Sequence, residues 1–173
     1  MITLILGGAR SGKSRYAEKI GENWLDENPK GERIYLATCQ VFDDEMSNRV
    51  DKHKEQRSGN WTTLEEPLLL SEALKRETNS SRFVLVDCLT LWLTNHLLAE
   101  NDTDEAITEL CETLTQIESD VVLVANEVGL GIVPDNKLAR QFRDIAGLCN
   151  QRVAAVTDKV VFIAAGLPMT LKG

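Results

Sequence analysis

A chain of 173 residues, 43% apolar and 27% charged, has the material for one globular domain with a sizeable core. Its net charge of −8 excludes nucleic-acid binding by bulk charge, so a local cluster of Lys and Arg carries information. No apolar run approaches the ~20 residues that span a bilayer, the apolar start is a short strand rather than a signal peptide, and four scattered cysteines without a C-x-x-C pair read as reduced thiols in a cytoplasm.

Ile2 to Leu6 reads as a short buried strand, and Gly7 to Ser14 then spells G-x-x-x-x-G-K-S. A helix is expected from Ser14 to Asn28, closed by Asn28-Pro29-Lys30-Gly31. Strand, glycine-rich loop and helix in that order define a phosphate-binding loop. Gly7, Gly8, Ala9, Arg10, Ser11 and Gly12 would curl so that backbone N–H groups face an anion at the helix N-terminus. Lys13 brings a charge to the β/γ-phosphates, and the Ser14 hydroxyl suits the shell of a Mg²⁺ ion.

Ile34 to Thr38 is a second strand, ending in the small residues Ala37, Thr38 and Cys39, which should lie near the loop. Asp43 to Arg57 runs from acidic to basic, as a helix dipole favours, with Met46, Val50, His53 and Arg57 on one face. Trp61 to Glu65 reads as extended, and Leu68 to Glu77 as an amphipathic helix. Phe83 to Asp87 is a buried strand ending in a carboxylate, the form of a Walker B element that reaches the Mg²⁺ shell; capping of the next helix is the other use for Asp87. Cys88 to Leu98 is apolar nearly all round, as for a buried helix or a subunit contact, and His96 within it reads as a core or contact histidine.

A helix capped by Asn101 to Asp104 should run to about Ile117, followed by a strand at Val121 to Ala125. Asn126 to Pro134, polar and with two glycines, is a candidate functional loop. A long helix from about Asn136 to Thr157 would bury Leu138, Phe142, Ile145, Cys149 and Val153 or Val156; Val160 to Ala164 is the last buried strand, and Leu167 to Lys172 would add an edge strand. This alternation predicts a single P-loop domain over residues 1–173, with a mostly parallel, doubly wound α/β sheet and helices on both faces.

Asn136-Lys137-Leu138-Ala139 lacks the aspartate of the guanine-reading N-K-x-D, which argues against a switch GTPase. Of the two histidines, His53 stands in the densest basic run, between Lys52 and Lys54 with Arg49 and Arg57 a turn away. Two readings are open on the residues alone. One is a solvated helix end; the other is a nucleophile whose neutral imidazole, kept unprotonated by those cations, attacks an α-phosphorus.

The ordered blocks Gly7 to Arg15, Ala37-Thr38, Asp43-Asp44-Glu45-Met46, His53-Lys54-x-x-Arg57, Trp61-x-Thr63-x-Glu65-Glu66-Pro67, Asp87-Cys88-Leu89-Thr90 and Asn126-Glu127-Val128-Gly129-x-Gly131-Ile132-Val133-Pro134 resemble one family. It is the bifunctional adenosylcobinamide kinase/adenosylcobinamide-phosphate guanylyltransferase of coenzyme B12 (cobalamin) biosynthesis, and the likeness extends through Arg140-Gln141-Phe142-Arg143-Asp144 to Asn150-Gln151. The resemblance implies a RecA-like fold, trimeric association and two reactions. Adenosylcobinamide is phosphorylated by ATP or GTP; GTP then gives GMP to the phosphate through a GMP–histidine intermediate, forming adenosylcobinamide-GDP and pyrophosphate. It also implies that His53 is the nucleophile, that Gly7 to Ser14 hold the triphosphate, and that Ala37, Thr38 and Cys39 lie along the nucleotide. Lys54, Glu55, Gln56, Arg57, Glu65 and Asp87 complete the GTP site, with Ser14 and Asp87 toward Mg²⁺. Some relatives carry two adjacent histidines where this chain has Lys52 and His53, so only one imidazole here can be the nucleophile. A simple small-molecule P-loop kinase with no covalent intermediate is the competing reading.

Overall fold

The computed structural model describes residues 1–39 and 61–173. The helix expected over Asp43 to Arg57, with His53, Lys54, Glu55, Gln56 and Arg57, lies outside the described residues. In chain order the elements are β1 (Ile2–Gly7), α1 (Lys13–Glu27), β2 (Glu32–Ala37), β3 (Thr62–Glu65), α2 (Leu70–Glu77), β4 (Arg82–Asp87), α3 (Leu89–Leu98), α4 (Thr103–Gln116), β5 (Asp120–Asn126), α5 (Lys137–Val156), β6 (Lys159–Ala164) and β7 (Leu167–Lys172).

The strands form one sheet in the order β3-β2-β4-β5-β1-β6-β7. Every neighbouring pair is parallel except β6 and β7, which are antiparallel as expected of a terminal edge strand. Continuous apolar runs such as Phe83-Val84-Leu85-Val86 and Val121-Val122-Leu123-Val124 suit strands buried on both faces. The period of two splits them between two cores. Ile5, Tyr35, Phe83, Leu85, Val122 and Val124 face α1 through Ala17. Leu4, Leu36, Val84, Val86 and Leu123 face the other helices through Leu74, Trp92, Leu110 and Cys149. The architecture is the doubly wound, RecA-like P-loop class that the sequence predicts.

Register does the positioning. Gly7 pairs with Asn126 on one side and Ile163 on the other, while Ala37 pairs with Asp87 and with Glu65. The carboxyl ends of β1, β2, β3, β4 and β5 therefore meet along one edge of the sheet, where ligands of open parallel sheets collect. α1 packs across β1, β5, β4 and β2, so its first turn passes over the intervening β5 to reach the end of β4.

Two helices refine the expectations. In α3, Leu89, Trp92 and Leu93 are buried, each worth about 1.5–3 kcal/mol, together with the polar Thr90, Asn95 and His96. His96 is a core histidine: Nε2 lies 3.1 Å from the Leu68 carbonyl and its ring meets Trp92 edge-on at 4.9 Å. In α5, begun as expected by Asn136, whose side chain accepts from the Ala139 N–H, the buried stripe is Ala146, Cys149, Asn150 and Val153. Leu138 is 53% exposed rather than buried, because the stripe is turned toward the small Ala146 and toward Asn150, whose amide donates to the Asn126 carbonyl at 3.4 Å. All four cysteines are free thiols. Among the described residues no helix is long and apolar enough to cross a membrane.

Candidate active site

The loop between β1 and α1 is shaped by two glycines. Gly7 has φ +153°, and a Cβ there would lie 2.5 Å from the Ile163 carbonyl oxygen and 2.8 Å from Ser11 Oγ. Gly12, at φ +100°, occupies the N-cap position of α1 and contributes no side-chain cap. Gly8 needs neither the freedom nor the space, since nothing lies within 4 Å of a Cβ built on it. Ala9 and Arg10 are exposed at the loop's crest, with Arg10 in the left-handed region at φ +55°. The loop is tied down by the Gly166 N–H, which donates to the Ser11 carbonyl at 2.9 Å. Ser11 Oγ is buried without a hydrogen-bond partner among the described residues. A helix start with no side-chain cap leaves its N–H groups to an anion.

Lys13 is 7% exposed and its Nζ donates to the Gly8 carbonyl at 2.6 Å, curling over the loop. Burial holds the Lys13 amine below its usual pKa, and the neighbouring Asp87 carboxylate and then Cys88 work against that shift. The Ser14 hydroxyl donates to Asp87 Oδ2 at 2.8 Å, and the Tyr35 hydroxyl donates to the same oxygen at 2.9 Å. Asp87 thus faces α1 and β2. The N-cap of α3 is Cys88, with no side-chain cap bond, so the structure brings Asp87 to Ser14 rather than to the next helix. The Asp87–Cys88 peptide is cis.

Residues 37 to 39 divide their tasks. Thr38 is fully buried (0% exposed); its hydroxyl donates to the Cys88 carbonyl at 2.7 Å and accepts from the Cys88 N–H at 2.9 Å. Its own carbonyl accepts from Asn95 Nδ2 at 2.7 Å, and the same amide donates to the Pro67 carbonyl at 2.9 Å. The Thr38 side chain is therefore turned into the protein, where it locks the end of β2 to the end of β4. Ala37 and Cys39 are half-buried on either side, and Glu65 stands exposed at the end of β3, paired with Ala37 in the sheet. Lys13, Ser14, Ala37, Glu65 and Asp87 are thus gathered at one edge.

Tyr35 and Asn95 belong to this edge without being singled out in the sequence, and Thr90, there only the last residue of the block Asp87-Cys88-Leu89-Thr90, joins them. Thr90 Oγ1 accepts from the Asn126 N–H at 2.7 Å, which sets the start of the loop after β5, and the Glu127 N–H donates to the Gly7 carbonyl at 3.0 Å. A lone amide in the apolar run Leu91 to Leu98 was the available signal for Asn95. The loop then carries Leu130 (81% exposed) and Ile132 (97%) outward beside the phosphate loop, and Arg140 Nη1 closes it by donating to the Pro134 and Asp135 carbonyls.

Among the described residues no three His, Cys, Asp or Glu side chains form a metal cluster. What is present is a hydroxyl and a carboxylate within 2.8 Å, a hard oxygen pair that fits Mg²⁺ completed by phosphate oxygens and water rather than an all-protein cage.

The family model for cobinamide kinase / cobinamide phosphate guanyltransferase matches residues 3–171. The chain is 46% identical over 176 residues to the bifunctional adenosylcobalamin biosynthesis protein CobP of Pseudomonas aeruginosa, covering 100% of this chain and 98% of that protein. It is 40% identical over 187 residues to the bifunctional adenosylcobalamin biosynthesis protein CobU of Salmonella typhimurium and 38% identical over 188 residues to that of Escherichia coli, covering 99% of this chain and 100% of each relative. A match of this extent, on a phosphate loop whose serine meets the carboxylate ending β4, places the chain in the cobinamide kinase / cobinamide phosphate guanyltransferase family.

Proposed function

We propose that this chain phosphorylates adenosylcobinamide with ATP or GTP and then transfers GMP from GTP to adenosylcobinamide phosphate, giving adenosylcobinamide-GDP and pyrophosphate. The observation that carries the reading is the contact of Ser14 with Asp87 at the head of a helix whose N-terminus no side chain caps. In the first reaction the substrate hydroxyl attacks the γ-phosphorus, the bond to the β–γ bridging oxygen breaks, and the hydroxyl proton is lost to solvent. Lys13 leaves the Gly8 carbonyl for the β/γ-phosphates, and the loop N–H groups hold charge that shifts onto the leaving diphosphate. Ser14 and Asp87 would hold Mg²⁺, which supplies charge neutralisation between phosphate oxygens.

In the second reaction His53 attacks the α-phosphorus of GTP, the bond to the α–β bridging oxygen breaks and pyrophosphate leaves. An oxygen of the substrate phosphate then displaces the imidazole. Lys54 and Arg57 neutralise the leaving pyrophosphate, Glu55, Gln56 and Glu65 border the nucleotide, and Ala37 and Cys39 flank it, with Thr38 holding that strand end in place. The exposed apolar residues Leu130 and Ile132, on a loop anchored to Gly7, supply a surface for the corrinoid. Action as one P-loop domain, as a homotrimer, in the cytoplasm and without nucleic acid belongs to the same reading.

The test is incubation with α-labelled GTP and Mg²⁺ followed by denaturation. Label remains covalently bound to the native protein, is absent from His53→Ala, and the kinase step survives that change. Release of ADP or GDP without pyrophosphate or protein-bound label would instead establish a kinase with no covalent step.

A further inference from the structure

At the amino end of the sheet, opposite the edge that gathers Gly7 and Asp87, a cleft of about 410 Å³ opens where β2 and β3 begin. Its walls include Leu25, Pro29, Arg33 and Trp61. Arg33 is 4% exposed, and its guanidinium carbon lies 4.7 Å from the centroid of the Trp61 ring. Arg33 Nε and Trp61 Nε1 are both buried N–H donors without an acceptor. The one carboxylate in the wall, Glu32, is committed elsewhere, since it accepts from Arg82 Nε at 2.9 Å. Among the described residues no acid pairs with Arg33.

A guanidinium stays charged at any pH a protein survives. Burying it without a counter-charge is costly, and stacking on an indole face returns only part of that cost. Folding nevertheless builds a bed for it. Gly21 of α1 is where the Trp61 ring lies, since a Cβ there would meet Trp61 carbons at 2.7 and 2.9 Å, and Gly31 gives the same room to Trp24. The indole that floors Arg33 is thus held by tight packing, and the cleft beside it stays open. What is missing is an acceptor with negative charge.

We propose that this cleft binds a small organic oxyanion, a carboxylate or phosphate ester. Its oxygens take the fork of Arg33, and its apolar body lies between Trp61, Leu25 and Pro29. A planar guanidinium matches two oxygens of either group, and the volume suits a small organic molecule better than a bare ion. The site lies at the far end of β2 from Ala37 and is separate from the nucleotide chemistry.

Isothermal calorimetry on the full chain, with the phosphate loop saturated by a GTP analogue whose α–β bridge cannot be cleaved, tests this with four probes: acetate, inorganic phosphate, cyclohexanecarboxylate and cyclohexyl phosphate. At least one cyclohexyl anion binds at one site per chain and about tenfold or more tighter than the bare ion of the same charge group. Which of the two binds identifies carboxylate or phosphate as the preferred head. Arg33→Met abolishes that binding, and Arg33→Lys weakens it by about tenfold, because an ammonium cannot form the two-point contact. If Arg33→Met folds poorly, Arg33→Lys carries the comparison alone. Absence of a saturable signal with all four probes, or unchanged affinity in the Arg33 variants, would overturn the proposal.

Discussion

The hydroxyl of Ser14 lies 2.8 Å from Asp87 Oδ2, joining the first turn of α1 to the end of β4 across 73 residues of sequence. The helix that carries Ser14 follows β1, and β1 is not a neighbour of β4, since β5 runs between them. Asp87→Asn keeps the shape of the side chain and removes the charge that a cation between phosphates requires. Kinase and guanylyl transfer should both fall, on the order of 10²-fold or more, while the melting temperature changes little. Steady-state rates for the two half-reactions, measured separately across a Mg²⁺ titration, provide the check. A variant impaired in one half-reaction alone would show that Asp87 does not serve a shared metal.

Tyr35 makes the second bond to that oxygen, at 2.9 Å. Its part in the site is to aim the carboxylate that Ser14 also meets. Tyr35→Phe should lower kcat by about tenfold and raise the Mg²⁺ concentration needed for half-maximal rate, with KM for nucleotide nearly constant. The lost hydrogen bond costs about 1 kcal/mol of stability. A purely structural role would lower stability and leave the Mg²⁺ dependence where it was.

Features governed by local pattern were legible in the sequence. The phosphate loop follows from its own residues, the strands from continuous apolar runs, and the two faces from the period of two. His96 was legible as a core histidine because a lone imidazole in an apolar helix needs acceptors, which Leu68 supplies. What escaped depends on register and on which way a side chain points. Thr38 sits in a strand-end triplet that looks uniformly available to a ligand, yet its hydroxyl is used up by both backbone groups of Cys88, a partner fifty residues away. Leu138 belongs to the large apolar residues that define a stripe by periodicity, but the observed stripe follows the small Ala146 and a hydrogen-bonded Asn150, which hydropathy undervalues. Arg33 reads as an ordinary strand charge until Trp61, from the next strand's approach, is laid beneath it.

The glycines of the loop separate into those the fold demands and one it does not. A Cβ on Gly7 would press on the Ile163 carbonyl of the adjacent strand at a backbone angle side chains rarely adopt, so Gly7→Ala should cost about 2 kcal/mol or more. Gly8→Ala meets nothing and should stay within about 0.5 kcal/mol of the parent. Chemical denaturation distinguishes the two. If Gly8→Ala then weakens nucleotide binding at unchanged stability, its side chain obstructs the ligand rather than the chain.

Alkaline pH should act through the buried thiols. Burial pushes both Cys88 and Cys149 from 9.0 up to about 12, with Asp87 adding to the first and Cys111 to the second. A raised folded-state pKa means that the unfolded chain releases its protons first, so the stabilising contribution is whole below about pH 9 and is lost progressively toward about pH 12. By pH 10.5 the loss is about 2 kcal/mol per thiol, from 1.36 kcal/mol per unit. Lys13 works in the opposite direction: its lowered pKa makes the unfolded chain the better proton binder, so stability from that group rises as pH approaches 10.5. Burial raises the Cys111 thiol too, and three thiols against one amine leave a net decline. Urea unfolding from about pH 8 to 11 should show it, and Cys149→Ala should make the slope clearly shallower whatever its effect on stability at neutral pH. An unchanged slope in Cys149→Ala would mean that this thiol already reaches water in the folded protein.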